Sequence, residues 1–238
     1  MLRQIRNLRA LGRIRTASPT RRAGKPRFLI EHPELEISNL LEFVLARKPA
    51  EGFFFVQIGA FDGRAGDPLF DLVKTNHWRG ILVEPQLQAF EDLTKNYADQ
   101  PQLLFFNVAI GAEDGEVTLY TRKNGSVSVA SLQKHFLIKP GHGADEILAQ
   151  TVPCWTFATL LRRAGAPAAI DLLQIDAEGH DYEIIRSIGF DAVRPAIIRY
   201  EHALLSERDR NACLALLAKE GYRFLLEDFD TTAVLRDR

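Results

Sequence analysis

Five short apolar runs, each ending in a glycine, a carboxylate or an amide, constrain the fold of this chain more than any other feature. They are Phe53–Ile58, Ile81–Val83, Leu103–Phe106, Leu172–Ile175 and Ala196–Tyr200, followed by Gly59, Glu84, Asn107, Asp176 and Glu201. Nearly continuous apolarity over so few residues is what a strand buried on both faces requires. Helical spacing fills the gaps at Pro68–Asn76, Leu87–Tyr97, Asp181–Ile188 and Glu207–Lys219, and precedes the first run at Glu36–Arg47, which Pro49 and Gly52 stop. Strands alternating with helices imply βαβ units around a parallel sheet, an α/β fold. The end differs: Tyr222–Leu226 and Thr231–Leu235 flank an acidic turn and read as an antiparallel hairpin. Residues 111–153 interrupt the alternation with a strand-like Glu116–Thr121, a polar Asn124–Ser131 and a Gly-rich Pro140–Gly143. A long connection inside a compact domain is usually functional, so this insertion is expected to lie over one end of the sheet.

Composition narrows the class. With 46% hydrophobic and 26% charged residues in a chain of 238, a sizeable core is available and wholesale disorder is excluded. No apolar run approaches the ~18 residues that cross a bilayer, and no h-region marks a secretory signal, so a cytoplasmic location is expected. Cys154 and Cys213 stand in no ligand-like spacing and read as buried free thiols. The net charge of −1 hides a segregation. Residues 1–27 carry eight Arg, Lys25 and no acid; without those nine, 21 basic residues face 31 acids, a net of −10 for 28–238. The expected organisation is therefore a basic extension, 1–27, and a single domain, 28–238. In the extension Leu2, Ile5, Leu8, Leu11 and Ile14 recur every third residue, with Arg3, Arg6, Arg9 and Arg13 opposite. Three readings compete: a helix docking on the domain or another subunit, a contact with a membrane surface or anionic polymer, and an organellar presequence.

Ligands of an open parallel sheet bind beyond the carboxyl ends of its strands, so the residues after each run carry the chemistry. Gly59-Ala60-Phe61-Asp62-Gly63-Arg64-Ala65-Gly66 matches neither the G-x-G-x-x-G of dinucleotide sites nor a phosphate-binding loop, which disfavours NAD and ATP. Glu84-Pro85 places a carboxylate where it can accept both hydroxyls of a ribose. Asn107-Val108 offers an edge and a face to an adenine. The fourth run opens into Asp176-Ala177-Glu178-Gly179-His180-Asp181-Tyr182-Glu183, a concentration of charge that is costly after a buried strand unless used or solvated. Asp181 reads as the cap of the next helix and Glu183 as a first-turn complement to its dipole. Asp176 and Glu178 have no such role, and Glu201 and His202 should face the same cleft.

Together FVQIGAFDG (Phe55–Gly63), LVEP (Leu82–Pro85), NVAIG (Asn107–Gly111), LLQIDAEGHDYEII (Leu172–Ile185) and IIRYEH (Ile197–His202) resemble the FkbM family of S-adenosylmethionine-dependent methyltransferases. The resemblance spans roughly Phe53–Leu235. It implies the Rossmann-like class I methyltransferase fold: a seven-stranded, mostly parallel sheet in the order 3-2-1-4-5-7-6, closed by an antiparallel hairpin, with helices on both faces. It further implies that Gly59, Ala60 and Gly63 approach the methionine part of the cofactor, Glu84 with Pro85 the ribose, Asn107 and Val108 the adenine, and Asp176 the amino group or the methyl. Two departures stand out. Gln57 stands where many class I enzymes have an acid just before the first glycine, which alters one polar contact, and Phe61-Asp62 replaces the commoner Asn near the turn, which changes how the amino-acid moiety is gripped.

Family acceptors are mostly hydroxyls of sugars or natural products. An alcohol is a poor nucleophile, so transfer needs positioning plus a base or a metal. His180, His202, His135 and His142 are the candidate bases, His180 first, with Asp176 and Glu178 beside it. Asp176, Glu178 and Glu201 are the alternative set for a divalent cation. Residues 124–151 would form a substrate lid, with Ser126, Ser128, Ser131 and Lys134 facing a polyol and Gly141 and Gly143 as hinges. The competing classes are a non-catalytic nucleoside-binding or scaffold module and a methyltransferase acting on another acceptor. A nucleic-acid partner is disfavoured by the acidic body.

Overall fold

The computed structural model describes residues 52–122, 130–138, 147–227 and 229–235. The basic extension, the Glu36–Arg47 helix, Ser126, Ser128, Gly141, His142 and Gly143 lie outside the described residues. Seven strands form the main sheet: β1 (Phe54–Ile58), β2 (Arg79–Val83), β3 (Leu103–Phe106), β8 (Leu172–Ile175), β9 (Ile197–Glu201), β10 (Tyr222–Leu226) and β11 (Asp230–Leu235). The spatial order is β3-β2-β1-β8-β9-β11-β10. That is the expected order when the seven are counted along the chain. β1 pairs parallel with β2 and β8, so Val56 lies beside Ile81 and Leu173, while β11 runs antiparallel to β9 and β10.

β1 is buried along its whole length, and its alternating side chains feed two cores. Phe54, Val56 and Ile58 pack with the helices α3 (Phe157–Ala164), α4 (Asp181–Ser187) and α5 (Glu207–Lys219), through Leu160, Ile184, Ile185, Cys213 and Leu217. Phe55 packs on the other face with α1 (Phe70–Asn76) and α2 (Leu87–Asn96), through Val73 and Leu93. Each such side chain removed from water contributes about 1.5–3 kcal/mol. α5 is started by Ser206, whose hydroxyl accepts the Asp209 N–H (3.1 Å), and α3 by Thr156, whose hydroxyl accepts the Thr159 N–H (3.1 Å). Such caps satisfy donors that the first turn leaves open. Cys154 and Cys213 are buried free thiols. No described helix is long and apolar enough to cross a membrane.

The insertion holds more structure than its sequence announces. Four strands form a second sheet in the order β4-β7-β5-β6, made of β4 (Ala109–Ile110), β5 (Gly115–Arg122), β6 (Ala130–Ser131) and β7 (Ile147–Trp155). β5 and β7 are antiparallel over eight residue pairs, from Gly115–Cys154 to Arg122–Ile147. Its small core is Ala109, Leu119, Val152 and Cys154. A 3₁₀ turn, Lys134–Leu137, follows β6.

Candidate active site

The turn after β1 is shaped by a backbone collision that only glycine avoids. Gly59 has φ +77°, and a Cβ there would lie 1.7 Å from the Asp176 carbonyl oxygen. The Gly59 and Ala60 N–H groups both donate to the Val83 carbonyl (2.9 and 3.0 Å), and the Asp176 N–H donates to Ile58 (2.9 Å). The ends of β1, β2 and β8 are thereby pressed together, and a cleft open to solvent lies beyond them.

Glu84 stands at one end of the cleft, fixed by two backbone donors: Phe61 N–H to Oε2 (2.9 Å) and Gln86 N–H to Oε1 (2.8 Å). Burial pushes its carboxyl up to about 7 against the opposing pull of those bonds. Each oxygen keeps acceptor capacity after taking one bond. Val108, Ala109 and Ile110 supply an apolar wall. Asp176, Ala177, Glu178 and His180 line the other end, and Leu119, Ala130 and Leu132 of the inserted segment line the same cleft.

Among the residues singled out in the sequence, Gly59, Glu84, Pro85, Val108, Asp176, Glu178 and His180 line this cleft. The other described cofactor candidates, Gln57, Ala60, Asp62, Gly63 and Asn107, are not among its lining residues. Asn107 does not offer its amide to the cleft; Nδ2 donates to the carbonyls of Glu84 (2.8 Å) and Pro85 (3.1 Å), clamping that turn. Asp62 accepts the N–H groups of Arg64 and Ala65 and so builds the glycine loop. Gly63 packs on Leu93 and Tyr97, and Ala60 is buried in the α1–α2 core. Gln57 faces that same side of the sheet, buried.

Three expectations at the other end are corrected. His202 does not reach the cleft: it is buried, with Nδ1 3.0 Å from Thr231 Oγ1, and burial beside Arg210 lowers it to about 4. Asp181 is not the helix cap. Fully buried, it accepts the Glu201 N–H (3.1 Å) and the Ala177 N–H (3.3 Å), tying the β8 loop to the end of β9, and burial lifts its carboxyl to about 8. Asp176, Glu178 and Glu201 do not form a cation site; among the described residues no three His, Cys, Asp or Glu side chains are grouped to hold a metal ion. Glu201 instead has its carboxyl raised to about 8 by burial and by Asp176, Asp181, Glu178 and Asp230 around it. His135 and Lys134 are exposed, the His135 ring 4.1 Å from that of Phe136. His180 starts α4 at the cleft wall, and burial holds its imidazole below its usual range.

Sequence reasoning missed how the turn carrying Glu178 and His180 is held. Glu178 (φ +48°) and Gly179 (φ +91°) are left-handed. The Ser131 hydroxyl donates to the Glu178 carbonyl (2.9 Å), and Gln133 Nε2 donates to the Gly179 carbonyl (3.0 Å). A Cβ on Gly179 would lie 2.3 Å from the Phe136 ring. The Arg122 guanidinium donates to the Leu137 carbonyl, anchoring the same segment to β5. The hint in the sequence is Val127, Val129, Ala130 and Leu132, apolar residues set among serines and other polar residues.

Residues 57–224 match the family model of the methyltransferase FkbM domain. The chain belongs to the FkbM methyltransferase family. Among solved structures it is similar to the methyltransferase FkbM of Methylobacillus flagellatus KT, with 14% identity and a TM-score of 0.54, covering 85% of this chain and 48% of that one. The chain thus spans about half the length of that relative. Weaker likenesses include Aeropyrum pernix fibrillarin in complex with natively bound S-adenosyl-L-methionine (12% identity, TM-score 0.46, 82% of this chain and 71% of that one). Another is precorrin-6y C5,15-methyltransferase of Geobacter metallireducens GS-15 (11%, 0.42, 77% and 80%). No curated protein matches the chain. The matched model is that of a methyltransferase domain, and the donor such a domain would hold is S-adenosylmethionine. The cleft fits such a group: the Glu84 carboxyl with spare acceptors, an apolar wall, and across β1 a second carboxyl, Asp176, which burial raises above the usual carboxylate range.

Proposed function

We propose that this FkbM protein is an O-methyltransferase that moves the methyl of S-adenosylmethionine to a hydroxyl of a sugar, glycan or natural product. The observation that carries the reading is one cleft holding Glu84 at one end and Asp176, Glu178 and His180 at the other. When bound, the cofactor supplies an electrophilic methyl on a sulfonium. Glu84, oriented by Phe61 and Gln86, accepts from the ribose hydroxyls. Val108 and Ala109 cover the base. Asp176 faces the cationic end and favours its binding over that of the neutral thioether product.

His180 takes the proton of the acceptor hydroxyl. Its lowered pKa keeps the imidazole neutral at pH 7, ready to accept a proton, and the held turn at Glu178–Gly179 fixes where it points. The acceptor lies against Leu119 and Ala130 of the second sheet and Leu132 just after it, which gives that segment its role as lid. The net −10 of residues 28–238 supports a neutral or polyol acceptor over a polyphosphate one. The test is transfer of labelled methyl to a panel of glycans, polyketides and other hydroxylated acceptors, with H180A and H180Q beside the wild type. The reading predicts labelled methyl ether and a fall in turnover of about a hundredfold in both variants. Normal turnover in H180A removes His180 as base. Label appearing only on nitrogen or carbon acceptors overturns O-methylation.

A further inference from the structure

The two faces of the main sheet are covered unequally. One is backed by α3, α4 and α5. On the other, α1 and α2 share a core with Phe55, Leu82 and Leu103 of β1, β2 and β3. Register carries that second face on across the sheet: Gln57 pairs with Gln174, Gln174 with Arg199, Arg199 with Thr232, and Thr232 with Leu225. Thr232 is fully buried there, Gln174 is 3% exposed and Leu225 8%. The Arg199 side chain, ion-paired to Asp230 (2.6 Å) and Glu227 (3.4 Å), is only 14% exposed. β10 is the edge of the sheet, and strand neighbours alone do not withdraw an edge leucine from water; a second layer has to lie on it. Among the described residues no helix supplies that layer. Leu225 and Val234 belong to none of the three apolar cores, and α5 meets β10 from the opposite face, where Tyr222 and Phe224 point.

The place where the chain enters β1 identifies the layer. Gly52 leads into β1, and β1 is the neighbour of β8. Residues 48–51 reach ~13 Å at ~3.3 Å per residue, well beyond the ~5 Å between adjacent strands. Before that link stand residues 36–47, with Ile37, Leu40, Leu41, Val44 and Leu45 at helical spacing along one side. A helix of that span is about 18 Å long, and the strands from β8 to β10 cover about 14 Å. The remaining segments outside the described residues are placed elsewhere in the chain: 123–129 and 139–146 belong to the connections of the second sheet, and 236–238 is too short to make a layer.

We propose that residues 36–47 dock their apolar side on the β8–β9–β11–β10 face and complete the second layer of the main sheet within one chain. Asp176 and Glu201 extend the same face two residues beyond Gln174 and Arg199, so the docked segment borders the Asp176 end of the cleft. The basic residues 1–27 have no part in the layer.

Hydrogen exchange on the full chain tests the docking from both sides. In L41A/V44A, which trims the segment, the amides of 223–226 and 231–234 are expected to exchange about tenfold faster than in the wild type, with 54–58 unchanged. In L225A, which trims the face, the amides of 36–47 are expected to quicken by about the same factor. Should L41A/V44A loosen 54–58 as well, the L225A result decides. Wild-type exchange at 223–226 in L41A/V44A, or at 36–47 in L225A, overturns the docking. Protection of either stretch that grows with protein concentration gives the face to a second copy of the chain and overturns it too.

Discussion

The two ends of the cleft are held by different means. At the Glu84 end the constraints come from the ends of the main-sheet strands themselves: Gly59 and Ala60 N–H on Val83, Phe61 and Gln86 N–H on the Glu84 carboxylate, and the Asn107 amide on the Glu84 and Pro85 carbonyls. Those contacts follow from the pairing of β1 with β2. At the His180 end the constraints come from side chains of the inserted segment: Ser131, Gln133 and Phe136 on a left-handed turn. A main sheet that folds correctly thus delivers the Glu84 end without further help, whereas the left-handed turn at the His180 end, tied to the main sheet through Asp176 and Asp181, also draws on the inserted segment. On the proposed function, cofactor binding is a property of the fold and acceptor chemistry a property of the insertion.

G59A should have the largest effect, because a Cβ 1.7 Å from a carbonyl oxygen forces β1 and β8 apart. The variant is expected to lose roughly 3 kcal/mol or more in urea unfolding and to lose S-adenosylhomocysteine binding. G179A should damage only the other end. With φ +91° and Phe136 at 2.3 Å, it is expected to cost about 1–3 kcal/mol, to open amide exchange at 130–138, and to leave S-adenosylhomocysteine affinity within about threefold of wild type. F136A should recover the steric share of that loss in a double-mutant cycle. If G179A weakens nucleotide binding as much as G59A does, the two ends are not separable.

S131A comes next. Ser131 is 1% exposed, and its hydroxyl both donates to Glu178 and accepts from Gln133 N–H (3.0 Å). Removing it should cost about 1–2 kcal/mol, with faster exchange at 177–181 and no change at 59–63. The smallest effect is expected from E201Q. Glu201 is raised from 4.5 to about 8 when folded, so the folded state binds the extra proton and stability falls as pH rises from about 4.5 to 8. E201Q should therefore match wild type near pH 4.5 and exceed its Tm by about 2 °C at pH 8.5. Equal Tm values at pH 8.5 would show that the acids around Glu201 are better screened than their burial implies.

The same division explains what could be read from the residues alone. β3, β8, β10 and α5 run Leu103–Phe106, Leu172–Ile175, Tyr222–Leu226 and Glu207–Lys219, the spans that their apolar patterns mark. Their periodicity is set by burial on the main sheet. β7 gave no such signal, because only Val152 and Cys154 of its nine residues are buried; it is a strand because β5 pairs with it. α3 was signalled, by Thr156 before it and Gly165 after it, but its position beside the insertion hid it. Strand-end residues reached the cleft because chain direction alone puts them there. Asn107 and His202 did not, since Glu84, Pro85 and Thr231 claim their side chains, and no spacing rule encodes those partners.

The central claim, that the cleft beyond β1, β2 and β8 is a nucleoside site for S-adenosylmethionine, is tested most directly by thermal unfolding with saturating S-adenosylhomocysteine, NAD and ATP in parallel. Ligand at about a hundredfold over its Kd adds roughly 2.7 kcal/mol, a rise of about 5–10 °C for a chain of this size. The account predicts that rise with S-adenosylhomocysteine, its loss in E84A, and no rise with the other two. A rise with NAD or ATP and none with S-adenosylhomocysteine would contradict it.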